Sequence, residues 1–120
     1  MRAREFSRRL GVTAAIQCGP FLIDRGQPTS GLNDSHRARR TFAATTSSNR
    51  ALVGVCSGVS LAELAKILAT TSLAEDLKIE RALNLDGGSS SAFWFARENG
   101  SAFSISEQKS VRDFVGIVPK

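Results

Sequence analysis

Asp86 is the residue of this chain best placed to do chemistry. It closes the apolar stretch Leu83-Asn84-Leu85 and is followed by Gly87, Gly88 and the serines at 89–91, with Phe93, Trp94 and Phe95 just beyond. A carboxylate can serve as a base, a nucleophile or an electrostatic stabiliser. Gly87 and Gly88 have no Cβ, so they can take positive φ and let another group approach the backbone closely. Successive amides in such a turn form a concave nest for anions, and the Ser89 hydroxyl adds a donor at the same rim. A carboxylate beside an anion cradle suits a substrate that carries both a reacting carbon and a phosphate. The same residues would also make a plain turn between two strands. No lysine follows the glycines, which argues against a nucleotide P-loop. No Gly-x-Ser-x-Gly elbow supports a serine nucleophile, and His36 reads as a solvated loop histidine.

The elements around Asp86 follow from pattern. In "RALNLD", period two places Asn84 and Asp86 on one face and Leu83 and Leu85 on the other. Asp86 is therefore expected to end a strand on a polar face, where the sheet opens into a crevice. Residues 12–23 read as an extended segment broken at Gly19-Pro20, either an edge strand or a strand with a bulge. "DRG" at 24–26 is a turn, and 27–38 has loop composition. "RRTFAATT" and "RALVGVCS" around "SSN" read as a hairpin. Arg40, Phe42 and Ala44 fall on its core face, with Arg39, Thr41 and Ala43 opposite and Arg39 directed to solvent. "SLAE" at 60–63 is a capping box opening a helix over about 61–69, with Leu61, Leu64, Ile67 and Leu68 as its apolar stripe. "LAEDLKIE" suggests a further helical turn or two. "SAFWFA" and "SAFSIS" flank the turn signal Glu98-Asn99-Gly100, and the tail "VRDFVGIVPK" suggests a last strand. Trp94 alternates with Phe93 and Phe95 and reads as packing rather than as a stacking platform for sugar. The expected class is α+β, a mixed or antiparallel sheet with hairpins packed on one main helix.

The chain fits one domain, with a basic lead-in at 1–12 and a body at 13–120. A chain of 120 residues buries roughly 65% of its unfolded surface. No apolar run reaches the ~20 residues needed to span a bilayer, and no cleaved secretory signal is read at the basic N-terminus. Two cysteines without a CxxC motif, together with a single histidine, argue against structural zinc. A disulfide between Cys18 and Cys56 requires their strands to be neighbours. No cofactor is expected, and a divalent-metal requirement stays open. The net charge is +5, carried mostly by arginines clustered at 2–9 and 37–40. That balance admits nucleic acid, a phosphorylated small molecule or a solvated surface. The aromatics cluster away from the arginines instead of interleaving with them, which disfavours nucleic acid.

"ALNLDGGSSS" resembles the signature of the phosphodiester glycosidase family. In the same order, "IQCGPFLIDRG" is similar to that family's Gln-x-Gly-Pro strand and "RRTFAATTSSNRALVGVCSG" to its Arg-Thr hairpin. "SLAELAKIL" is similar to the helix before the signature, and "VRDFVGIVP" to the closing strand. The resemblance spans residues 13–119 and corresponds to the C-terminal part of the family domain. It departs from the pattern at Ser89, where the family usually has a third glycine.

The resemblance implies hydrolysis at the anomeric carbon of a sugar joined to a phosphodiester, expelling a phosphate monoester. A good leaving group lowers the need for a strong general acid, so the site must supply a carboxylate at the developing oxocarbenium carbon and fixed donors on the departing phosphate. Asp86 is the candidate for the first role or for holding a substrate hydroxyl. Arg40, the Gly87 and Gly88 amides and the Ser89 hydroxyl are candidates for the second. Arg40 could equally be a strand-end arginine whose stem covers apolar surface. Asn84 would orient Asp86 or a sugar hydroxyl, and Gln17 matches the family's Gln-x-Gly-Pro position. Asp24 and Asp34 are weaker candidates for a second carboxylate. Activity in these residues alone is expected to be impaired if the family's N-terminal portion supplies part of the site. The other readings are a non-catalytic basic module binding nucleic acid or another polyanion, or an inert fragment that needs a partner chain or oligomer to complete its sheet. Family members are often exported, but nothing in the sequence directs export.

Overall fold

The computed structural model describes residues 15–71, 78–111 and 114–118. Within them the chain is α+β. Strands β1 (Phe21–Asp24), β2 (Gln27–Pro28), β3 (Ala38–Thr46), β4 (Ala51–Val59) and β5 (Ile79–Gly87) form one sheet in the order β2-β1-β5-β3-β4. Strands β6 (Phe93–Ala96) and β7 (Ala102–Ile105) form a second, two-stranded sheet, and every pairing is antiparallel.

One helix, α1 (Leu61–Thr70), covers one face of the larger sheet. Its capping box is complete. The Glu63 amide donates to Ser60 Oγ at 3.1 Å, and the Ser60 amide donates to Glu63 Oε2 at 2.8 Å. Such a box satisfies two donors that the first helical turn leaves without partners. Leu64, Ala65 and Leu68 are buried against Leu22, Ile23, Phe42, Ala44, Ile79 and Ala82, and Leu61 packs at the edge of this core. Ile67, which periodicity also assigns to the stripe, is instead exposed, and Ala65 takes its place.

The register of the sheet shifts at four points, and three of them bear on the site. Between Phe21 and Ile23 the β1–β5 register shifts, which explains why consecutive Leu22 and Ile23 are both fully buried. β1 begins only after Gly19-Pro20 and lies between β2 and β5, so the described part of the segment is neither an edge strand nor a strand bulged at that break; residues 12–14 lie outside the described residues. A second shift lies in β4 between Cys56 and Val59, where Gly58 takes φ +70°. The third lies in β5. Phe42 pairs with Asn84 but Arg40 pairs with Gly87, so Thr41 of β3 faces two residues of β5, Leu85 and Asp86. An extra residue of this kind turns its neighbours to the other face of the sheet.

Several expectations need correction. Ile79 and Glu80 belong to β5 rather than to a second helical turn, Lys78 before them is in no regular element, and the rest of that predicted segment, at 73–77, lies outside the described residues. The described tail residues Val111 and 114–118 form no strand, and Phe114, Ile117 and Val118 are largely exposed. Trp94 is 66% exposed rather than packed, while Phe95 and Phe103 stack with ring centroids 5.3 Å apart. Cys18 and Cys56 are free thiols. Among the described residues no helix is long and apolar enough to cross a membrane.

Candidate active site

The bulge in β5 decides where the signature residues point. Asn84 is buried on the helix-facing side of the sheet, across from Phe42. Its amide nitrogen donates to the Gly19 carbonyl at 3.1 Å, tying β5 to the segment that enters β1, and it makes no bond to Asp86. Strict alternation would put Asp86 beside Asn84. Instead Leu85 and Asp86 both turn to the opposite face, and Asp86 is exposed there. The expected polar face of β5 is therefore its core face as far as Asn84, and the leucines 83 and 85 are only half-buried.

Thr41 stands opposite the bulge. Its hydroxyl accepts from the Asp86 amide and donates to the Asp86 carbonyl, both at 3.2 Å. The Asp86 carboxylate is held from the other side. Oδ1 accepts from the Gly87 amide at 2.7 Å, and Oδ2 accepts from the Ser90 hydroxyl at 2.7 Å. Ser90 lies in the short 3₁₀ turn Gly88–Ser90, which Gly88 enters with φ +77°. Gly87, by contrast, is extended at φ −156°, so positive φ is not what it supplies. It is glycine for space: a Cβ there would lie 2.8 Å from Arg40 Nη1 and 3.2 Å from the Arg39 carbonyl oxygen. Its amide, engaged by Asp86, is already occupied by the chain's own carboxylate.

Arg40 is on the core face, as its parity requires, and is 9% exposed. Its Nη2 donates to the His36 carbonyl at 2.8 Å and its Nε to the Val59 carbonyl at 3.5 Å. The guanidinium thus braces the underside of Gly87. Arg39 does not face solvent freely. It is half-buried, and its Nη1 donates to the Ser91 carbonyl at 2.8 Å and the Ser106 carbonyl at 2.7 Å. This one group joins β3 to the turn and to the end of the second sheet.

Two cavities flank the turn. The larger, about 570 Å³, is lined by Asp86, Ser90, Thr41 and Gln17 together with apolar Leu85 and Phe93, and Cys18 and Phe114 also reach its wall. The smaller, about 310 Å³, is lined by Ala38, Arg39, Ser57, Gly88, Ser89 and Gln108. The structure therefore brings Asp86 and Gln17 together on one side, places Gly88 and Ser89 on the other, and sets Arg40 and Asn84 beneath both. Asp24 pairs with Arg81 at 3.7 Å beside the β1–β2 turn, and Asp34 is exposed in its loop; neither lines either cavity. Among the described residues, His, Cys, Asp and Glu nowhere gather in a group of three that could hold a metal ion.

Thr41, Ser90 and Arg39 are the residues that sequence reasoning passed over. Thr41 and Arg39 had a signal, since alternation from Phe42 places both on the face opposite the core. Ser90 had none beyond its membership of a serine run.

A family model described as "Phosphodiester glycosidase" matches residues 2–118. No curated protein and no solved structure matches the chain.

Proposed function

The chain belongs to the phosphodiester glycosidase family, and from that premise we propose that it hydrolyses the bond between a sugar's anomeric carbon and the oxygen of a phosphodiester. The observation that carries this reading is the Asp86 carboxylate, fixed through both oxygens on the wall of a cavity of about 570 Å³. That volume lies within the range of small-molecule sites, roughly 300–1,000 Å³, and its apolar walls with a few convergent polar groups have the composition of one. Each carboxylate oxygen keeps an acceptor site beyond the one it uses. Asp86 can therefore meet an anomeric carbon or accept a proton from water without leaving its own partners.

In the proposed reaction the bond from the anomeric carbon to the phosphoester oxygen breaks, and its electron pair leaves with the phosphate monoester. Positive charge develops on the ring, and Asp86 stabilises it as a counter-charge or as the nucleophile. Water then supplies the new anomeric hydroxyl, and its second proton passes to the carboxylate or to the departing phosphate. Gln17 and the Ser91 segment line the same cavity as candidate sugar contacts. Arg40 and Asn84, directed to backbone carbonyls, serve as positioning residues beneath the turn. This changes the expected phosphate clamp, because Arg40 grips the scaffold.

The polyanion-binding alternative finds little support in the 37–40 cluster. Arg37 pairs with Glu63, and Arg40 is buried and donates to backbone carbonyls, which leaves Arg39 alone of the three with a guanidinium edge that makes no hydrogen bond to a described residue. The test is release of free sugar from a glycosyl phosphodiester by the chain and by Asp86→Asn. The proposal expects the variant to lose on the order of 10²-fold or more in turnover. Equal turnover removes Asp86 from the mechanism.

A further inference from the structure

The smaller cavity, on the far side of the turn from the larger one, has the chemistry of an anion site. Among the described residues it is lined by one guanidinium, two hydroxyls and a carboxamide, and by no acidic side chain. Arg39 enters it already anchored, because Nη1 is committed to the Ser91 and Ser106 carbonyls. Its Nε–Nη2 edge makes no hydrogen bond to a described residue. That edge is the fork that meets two oxygens of a phosphate at once. The hydroxyls of Ser57 and Ser89 and the side-chain amide of Gln108 likewise make no hydrogen bond to a described residue.

Backbone geometry gathers these groups. The irregularity in β4 at Gly58, across from Arg39, accompanies the turn of Ser57 into this cavity. The left-handed Gly88 brings Ser89 round, and the Ser89 carbonyl accepts from the amides of Gln108 at 2.8 Å and Lys109 at 3.1 Å, fixing the opposite wall. A guanidinium immobilised by two carbonyls loses little further freedom when it binds, which is how preorganisation favours affinity.

We propose that this cavity binds a phosphoryl group, with Arg39 as its fixed bidentate donor and Ser57, Ser89 and Gln108 completing the set. This cavity shares no lining residue with the one that holds Asp86. The anomeric carbon and phosphorus of a phosphodiester are joined through one oxygen, so the phosphoryl group bound here is not the scissile one. Its binding does not rest on the function proposed above.

The experiment titrates inorganic phosphate into the isotopically labelled chain at fixed ionic strength, with chloride as control, and follows amide resonances. The expected result is saturable shifts at Gly88, Ser89 and Gln108. Affinity should fall on the order of tenfold in Ser57→Asp, which adds a like charge at an exposed position and touches no internal bond. Arg39→Gln should abolish binding, and Ser57→Asp guards against a trivial loss of fold in that variant. Shifts that are non-saturable or centred elsewhere, or equal affinity in Ser57→Asp, overturn the proposal. A chain that binds phosphate here yet releases no sugar sinks the hydrolytic reading and keeps this site. A chain that releases sugar but shows no saturable phosphate shifts at Gly88, Ser89 and Gln108 does the reverse.

Discussion

The Thr41 hydroxyl bridges the amide and the carbonyl of Asp86, 3.2 Å from each, across a point where β5 carries one residue more than β3. A bulge leaves backbone groups without ladder partners, and here a single side chain from the neighbouring strand supplies both. Thr41 thereby fixes the strand segment from which the candidate catalytic carboxylate projects.

Thr41→Val keeps the shape and removes the hydroxyl. It should cost about 0.5–1.5 kcal/mol of stability per lost bond and lower sugar release on the order of tenfold, because a displaced carboxylate is sensitive to small shifts. Thr41→Ser should restore most of both. Denaturant melts and turnover measured on all three proteins check this, and a fully active Thr41→Val would show that the bridge positions nothing.

Gly87→Ala introduces a Cβ 2.8 Å from Arg40 Nη1 and 3.2 Å from the Arg39 carbonyl oxygen. The backbone there is extended, so the penalty is steric and not conformational. We expect about 1–3 kcal/mol of destabilisation, as for other overpacked sites. Pairing the change with Arg40→Ala should recover part of the loss in a double-mutant cycle. Strict additivity would mean that the two residues do not meet.

Gly54→Ala makes the same argument in the core. The Phe42 ring lies over Gly54, and a Cβ there would come within 2.4 Å of it. Because Phe42 is buried among Leu64, Leu68 and Ala82, its ring has little room to yield. A melting-temperature drop corresponding to about 1–3 kcal/mol is expected, and an unchanged melt would contradict the packing described.

Acid should loosen α1 through Glu63. Its carboxyl is held below the ordinary value of 4.5, first by the hydrogen bond from the Ser60 amide, which burial opposes, and further by the charge of Arg37 and its hydrogen bond. A depressed folded-state pKa stabilises the native chain above the unfolded value, and that contribution is lost as pH falls through the lowered one. The difference in melting temperature between the chain and Glu63→Ala should thus be full above about pH 5 and shrink progressively below 4.5. A difference that stays constant from pH 7 to pH 3 would assign the capping box no charge-dependent part.

Much of this arrangement is legible in the sequence because it rests on local rules. The capping box at Ser60–Glu63, the β3–β4 hairpin and the aromatic hairpin each follow from a few adjacent residues. The orientation of Asp86 is not legible, because alternation is broken by an inserted residue whose only cause lies in another strand. Arg39 illustrates the same limit: its partners, Ser91 and Ser106, are brought to it by the turn and the second sheet, distant in sequence. Of the two properties that its letter offers, Gly87 uses the close approach of Arg40 and the Arg39 carbonyl and not positive φ, since a glycine letter does not distinguish freedom of φ from lack of bulk.

The bulge also decides what kind of group Asp86 becomes. Were β5 paired with β3 in unbroken register from Asn84, the carboxylate would fall directly across from Arg40 on the covered side of the sheet, and the two would face each other as a structural ion pair. The inserted residue keeps acid and guanidinium on opposite sides of the same strand pair. An acid that would otherwise be a silent counter-ion is thereby left free to meet a guest.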